Sequence, residues 1–122
     1  MTNDNAAPSE PQAAPVRLIM ETLRRHGGDA LPGGASPLEA ARAWLDAGFA
    51  DAEEVDDWLA ARCFDARSAQ TLDAAGITPE QAALRTRQGR ASYEETVAYK
   101  LAHGDLTLEE ARRIITHDFW NS

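Results

Sequence analysis

The chain has 122 residues and a formal net charge of −8, with twenty acidic residues against twelve lysines and arginines. This length suits one domain, and the acidic balance argues against general affinity for nucleic acid or anionic membranes, because phosphate binding depends on clustered basic residues. Leu, Ile, Val and Phe contribute only twenty-one residues, whereas Ala contributes twenty-four. We therefore expect closely packed small helices, since Ala has the highest helix propensity.

The chain also shows none of the usual marks of an exported or membrane protein. Its single cysteine, Cys63, excludes an intramolecular disulfide, the N-terminus shows no secretory leader pattern, and no apolar run approaches the length of a membrane span. Eleven arginines accompany one lysine, a composition typical of a GC-rich genome. These features predict a cytoplasmic bacterial protein that makes no contact with membranes.

The N-terminal third divides into three predicted segments. Residues 1–14 are polar and rich in Pro and Ala, which predicts a disordered tail. Residues 15–28 form an amphipathic helix with Val16, Ile19, Met20 and Leu23 on one stripe, and a Gly/Pro linker follows at residues 29–35. This helix either packs on the rest of the chain or docks on a partner, and the sequence leaves both alternatives open.

Residues 36–122 form the predicted helical domain, in which a pattern of about fourteen residues recurs. Each unit begins with a helix-capping residue, and most have Glu or Gln three places later, which is the pattern of a capping box. Gly48, Gly76, Gly89 and Gly104 are placed to end helices in the left-handed conformation. The pattern predicts an all-α protein, a compact bundle of six to seven short capped helices.

Acidic residues concentrate in the first half of this domain. Residues 36–75 contain nine acids and three arginines, whereas residues 76–104 contain three acids and four basic residues. The densest run is predicted to be one exposed helix face, the acidic face, which comprises Asp51, Glu53, Glu54, Asp56 and Asp57. This face predicts a protein–protein interaction module that binds a partner with a basic surface, as a regulator, inhibitor or immunity protein, or adaptor. The alternative is a solvated face whose acids suit the helix dipole.

Aromatic and basic residues supply a second set of candidate partner-binding positions. Trp44 and Trp58 lie at helical spacing and are predicted to be core residues. Phe119 and Trp120 stand at the C-terminus, where they either cap the fold or are presented to a partner. The remaining candidates form a cluster of three arginines, Arg85, Arg87 and Arg90.

The arginine cluster suggests an alternative function, a helix–turn–helix transcriptional regulator that uses residues 78–104. In that arrangement the segment SYEETVAYK would be the recognition helix. It offers Glu94, Glu95 and only one lysine, Lys100, so that like charges would meet the phosphates. Nucleic acid is therefore the weaker of the two partner classes.

No pattern in the chain indicates catalysis or a resident cofactor. The three histidines, His26, His103 and His117, each fall near a predicted helix end, and no two lie at the i, i+4 spacing of a zinc pair. Nucleophile elbows, phosphate loops and dinucleotide fingerprints are also missing. We therefore predict a protein that is not an enzyme and needs neither a metal nor a cofactor.

Overall fold

The structure, a computed structural model, describes the backbone of residues 3–91 and 93–119 and the side chains of residues 14–91 and 93–118. It is mostly helical, which confirms the predicted class at that level. The described helices are α1 Asn3–His26, α2 Pro37–Asp46, α3 Ala52–Ala60, α4 Ala66–Ala74, α5 Pro79–Ala82, α6 Val97–Ala102 and α7 Leu108–Ile114. Short 3₁₀ turns follow α1 at Gly28–Ala30 and Pro32–Gly34, and a π-helical turn, Ile115–Phe119, follows α7.

One pair of very short strands was not predicted. Strand β1, Arg85–Thr86, pairs with β2, Glu95–Thr96, in antiparallel register, with Arg85 opposite Thr96 and Thr86 opposite Glu95. Two residues are too few to produce the alternation by which a strand is recognised in a sequence. The pair closes residues 87–94 into a loop.

The chain divides into two compact units, Met1–Asp56 and Asp57–Ser122, so that the boundary falls within α3. The segment boundaries expected from composition remain a prediction. In the first unit α1 packs against α2, and Ile19, Leu23, Trp44 and Val55 are fully or almost fully buried. Trp44 makes an edge-on contact with Phe49, with ring centroids 5.4 Å apart. The predicted core role of Trp44 is confirmed.

Helix α1 is longer than the predicted N-terminal helix. Its backbone begins at Asn3 and includes most of residues 1–14, where composition predicts a disordered tail. Alanines at four positions of this stretch favour helix, which accounts for the continuation. The side chains of residues 1–13 lie outside the described part of the chain.

In the second unit α6 packs against α4 and α7. Its core includes Trp58, Leu72 and Val97, each with no exposed surface, so the predicted core role of Trp58 is confirmed. Cys63 is also fully buried. Burial raises the pKa of the Cys63 thiol to about 12, which keeps it protonated and unreactive at neutral pH.

Three of the predicted capping boxes are formed. At α2 the Ser36 hydroxyl accepts from the Glu39 amide at 3.1 Å, and the Glu39 carboxylate accepts from the Ser36 amide at 3.0 Å. The same reciprocal pairs begin α5, with Thr78 and Gln81, and α7, with Thr107 and Glu110. Each box satisfies two backbone donors that a helix start would otherwise leave unpaired.

The predicted helix starting at Ser92 is wrong in its first turn. Helix α6 begins at Val97, and its cap is Thr96, whose hydroxyl accepts from the Tyr99 amide at 3.0 Å. Glu95, which stands three places after Ser92 as in the capping-box pattern, lies in β2, and Ser92 itself is outside the described residues. Helix α5 also stops at Ala82, so the predicted helix end at Gly89 is wrong as well.

Helix α3 ends on an arginine where other helices end on glycine. In α2 the amide of Phe49 donates to the Trp44 carbonyl at 2.9 Å, and Gly48 has a φ of 99°. Fourteen residues later the Cys63 amide donates to the Trp58 carbonyl at 2.9 Å. The residue equivalent to Gly48 is Arg62, whose φ is 64°, the one positive φ of a non-glycine residue in the described part of the chain. A side chain in this left-handed region costs roughly 1 kcal/mol or more.

Candidate functional site

The predicted acidic face lies at and along helix α3. Asp51, Glu53 and Asp57 are exposed, whereas Glu54 and Asp56 are half-buried. Three of the five acids have interactions within the protein, namely Asp51, Glu54 and Asp56. Asp51 accepts from the Glu53 amide at 2.9 Å and so helps to start the helix, and Asp56 contacts His26 with 2.5 Å between Oδ1 and Nε2.

The His26–Asp56 contact joins the end of α1 to α3 within the first unit. The sequence places His26 only near the end of a predicted helix, and it does not identify Asp56, which lies thirty residues away in the chain. Asp56 is therefore held within the protein and is less available to a partner. Among the residues with described side chains, Glu53 and Asp57 make no ion pair, so these two form the open part of the acidic face.

A shallow groove in the second unit extends from Asp57. It has a volume of about 380 Å³, and its lining consists of Asp57, Ala60, Ala61, Pro79, Glu80 and Ala83. Asp57 and Glu80 are both exposed, and the other four lining residues are small and apolar. The groove therefore combines an apolar floor with two carboxylates, which suits the methylene stem and the charged end of a lysine or arginine.

The three predicted arginines occupy the strand pair and its loop. Arg85 lies in β1, Arg87 and Arg90 follow it, and all three are exposed. Arg85 Nη1 lies 3.4 Å from Glu95 Oε1, and the Arg90 guanidinium donates to the Gly104 carbonyl. The arginines are thus near one another in the chain, but two of them also have acceptors within the second unit.

The elements between residues 78 and 104 do not form the predicted helix–turn–helix. Helix α5 has four residues, the paired strands β1 and β2 follow, and α6 has six residues. None of the three arginines lies on α6, and Lys100, which does, is completely buried. Strand pairing and the Glu95 contacts replace the first turn of the expected recognition helix.

Lys100 and Glu95 belong to a polar cluster that sequence analysis missed. Lys100 Nζ donates to the carbonyls of Thr86 and Gln88 at 2.6 and 2.8 Å, which fixes the loop after β1. Glu95 Oε1 accepts from Arg62 Nε at 2.8 Å and from the Thr96 amide at 3.0 Å. In the sequence, Arg62 stands where the repeat elsewhere has a glycine, and Lys100 falls in a predicted helix. Neither pattern identifies the distant residues that these side chains contact.

The electrostatics of Glu95 favour its charged form. Burial alone raises the pKa of this carboxyl, but the Thr96 amide and the guanidinium groups of Arg62 and Arg85 outweigh burial and hold the pKa below its ordinary value of 4.5. A carboxyl whose pKa is lower in the folded protein stabilises the fold above its unfolded pKa. That contribution disappears as the pH falls through the folded pKa.

We therefore predict a pH-dependent effect of Glu95→Gln. The substitution should lower the free energy of unfolding near pH 7, and this loss should shrink as the pH falls below about 4.5, because the Glu95 carboxylate is then progressively protonated, first in the unfolded chain and at lower pH in the folded protein. Urea titrations of the two proteins between pH 7 and pH 3 measure the difference. A difference that stays constant over this range would contradict the assigned role of the Glu95 charge.

The other predicted features give no second site. The side chains of Phe119 and Trp120 lie outside the described part of the chain. Their role in partner binding stays a prediction. The side chains that are described contain no group of three His, Cys, Asp or Glu that could hold a metal ion. None of the described helices combines the length and the apolar character needed to cross a membrane.

Comparison with known proteins adds no constraint. No protein-family model, curated protein or solved structure matches the chain.

Proposed function

We propose that this chain is a protein–protein interaction module that binds a partner with a basic surface through the acidic face of α3. Regulators, inhibitors or immunity proteins, and adaptors all act in this way without chemistry of their own. The proposal includes a cytoplasmic location, a compact bundle built from the repeat of about fourteen residues, and no enzymatic activity.

The observation that carries the proposal is the groove beside Asp57. Asp57 and Glu80 line it together with an apolar floor, and neither carboxylate has an ion-pair partner among the residues with described side chains. A solvated acidic helix face needs no such floor, whereas a basic side chain gains both apolar contact and charge pairing there. Glu53 lies one turn before Asp57 on the same helix and is the other open acid of the acidic face.

The helix–turn–helix alternative receives no support from a specific contact. The strand pair takes the place of the first turn of the helix that would be the recognition helix, and Lys100, the one lysine of that segment, is buried. Protein binding is therefore the better supported of the two functions.

Charge reversal on α3 tests the proposal. The double variant Glu53→Lys/Asp57→Lys should keep the helical content, since surface substitutions usually change stability within about 0.5 kcal/mol, and should fail to capture the partner from lysate of the source organism. The matched control is Asp46→Lys/Asp73→Lys, which reverses two exposed acids near the ends of α2 and α4 and changes net charge equally.

Captures are compared at low and high salt and after nuclease treatment. The expected result is a salt-sensitive, nuclease-resistant protein that the wild type and the control retain and that the α3 variant loses. Equal capture by the α3 variant, or a bound species that nuclease removes, would contradict the proposal.

A further inference from the structure

The guanidinium group of Arg62 is held in one orientation. Its Nε donates to Glu95 Oε1 at 2.8 Å, and its Cζ lies 5.3 Å from the ring centroid of Phe64 and 5.1 Å from that of Tyr99. The aromatic faces attract the cation and restrict its motion. Arg62 has a left-handed backbone conformation. The equivalent residue after α2 is Gly48, which has no side chain, so the guanidinium group is a feature of the end of α3 alone.

The terminal nitrogens of Arg62 have no acceptor among the residues that the structure describes. The side chain is 34% exposed, so the two terminal nitrogens are open to solvent while Nε is held by Glu95. Arg85 contacts the same Glu95 oxygen, with its side chain 56% exposed. Because both guanidinium groups meet at one oxygen, the two cationic groups are neighbours.

The charges of this cluster do not balance. Glu95 supplies one negative charge, whereas Arg62, Arg85 and Lys100 supply three positive charges. The hydrogen bonds described for the Lys100 ammonium go to two carbonyls and to no carboxylate. The two guanidinium groups share one carboxylate oxygen in a chain that is acidic as a whole. An anion bound to their free donors would offset the excess of positive charge at this pair.

We propose that the free donors of Arg62 and Arg85 bind a phosphate dianion, either inorganic phosphate or a phosphate monoester. A planar guanidinium presents parallel N–H donors that match two phosphate oxygens, and prior fixation of Arg62 lowers the entropy lost on binding. The site lies within the second unit and uses none of the residues of the acidic face.

The neighbouring rings provide a surface for the organic part of a monoester. Tyr99 stacks on His103, with centroids 4.0 Å apart and planes 24° apart, and His103 is exposed. His103 Nδ1 lies 2.9 Å from the Tyr99 carbonyl and donates to it, which holds the imidazole against the tyrosine. An aromatic monoester such as phenyl phosphate can use this outer ring, whereas inorganic phosphate cannot.

The test is a titration of the ¹⁵N-labelled full chain at pH 7.5 and constant ionic strength, with inorganic phosphate and phenyl phosphate as separate probes. Saturable shifts of the Arg62 and Arg85 side-chain N–H signals are expected. Tighter binding of phenyl phosphate would identify a monoester as the source, and equal binding would identify the phosphate group alone. Shifts that chloride reproduces, or that never saturate, would overturn the proposal.

Two variants separate binding from folding. Arg62→Gly removes the guanidinium but suits the positive φ, and Arg85→Gln leaves the Arg62–Glu95 pair in place. Each should weaken phosphate binding about tenfold or more, the loss expected for charged hydrogen bonds. Arg67→Gln, which removes an exposed arginine of α4, should bind as the wild type does. Wild-type affinity in either folded variant, Arg62→Gly or Arg85→Gln, would overturn the proposal.

Discussion

Gly89→Ala is expected to destabilise the protein by about 3 kcal/mol, because it combines backbone strain with a steric clash. Gly89 has a φ of 103°, and a Cβ atom there would lie 2.9 Å from both the Asp105 carbonyl oxygen and Leu106 Cδ2. Leu106 is buried, and the Arg90 amide donates to the same carbonyl at 3.2 Å. The loop after β1 would have to move away from the turn that follows α6.

Gly76→Ala is the matched control in the same unit. Gly76 has a φ of 82°, but no atom lies within 4 Å of its added Cβ, so only strain of about 1 kcal/mol is expected. Urea unfolding followed by circular dichroism gives both free energies. If Gly89→Ala costs no more than Gly76→Ala, the loop does not pack closely on Asp105 and Leu106.

Lys100→Met is the second substitution with a large expected effect, a loss of about 2 kcal/mol or more in the free energy of unfolding. Methionine keeps an apolar chain of similar length but leaves the carbonyls of Thr86 and Gln88 without the ammonium donor. Removal of a buried charge also relieves a desolvation cost. We expect the two lost charged hydrogen bonds to outweigh this relief, because Lys100 has no exposed surface.

The same urea titration measures the effect of Lys100→Met. Arg112→Met is the control, since Arg112 is exposed and makes no ion pair among the residues with described side chains. The control should change stability by about 0.5 kcal/mol or less. Stability equal to the wild type in Lys100→Met would show that the ammonium does not fix the loop.

Local features of the fold were accessible from the sequence. The capping boxes at Ser36, Thr78 and Thr107 involve residues three apart, and the glycines at 48, 76 and 104 adopt positive φ next to their helix ends. These interactions depend on neighbours in the chain and on intrinsic backbone preferences. For that reason the local amino-acid sequence is enough to predict these caps and helix ends.

The start of α6 could not be predicted in the same way. Ser92 and Glu95 have the spacing of a capping box, but Glu95 pairs with Arg62, thirty-three residues away, and Thr96 donates its hydroxyl to the Ala61 carbonyl at 2.7 Å. These long-range contacts hold residues 95 and 96 in extended backbone. Tertiary contacts thus override a local helix preference.

The candidate sites show the same division. Sequence analysis found the acidic run and the arginines because charge is visible in composition. The sequence does not show that His26 contacts Asp56 or that Glu80 and Asp57 line the same groove. It also does not show that Lys100 is buried. Each of these facts depends on which distant residues the fold brings together.

We propose that the open acids of α3, Glu53 and Asp57, steer and bind a basic partner. Once the captured protein is purified, its association rate with this chain is measured as a function of salt concentration by stopped flow. We predict that the rate falls steeply with salt for the wild type and for Asp46→Lys/Asp73→Lys, and that Glu53→Lys/Asp57→Lys associates at least about tenfold more slowly at low salt. Equal rates and equal salt dependence for the two double variants would contradict the claim.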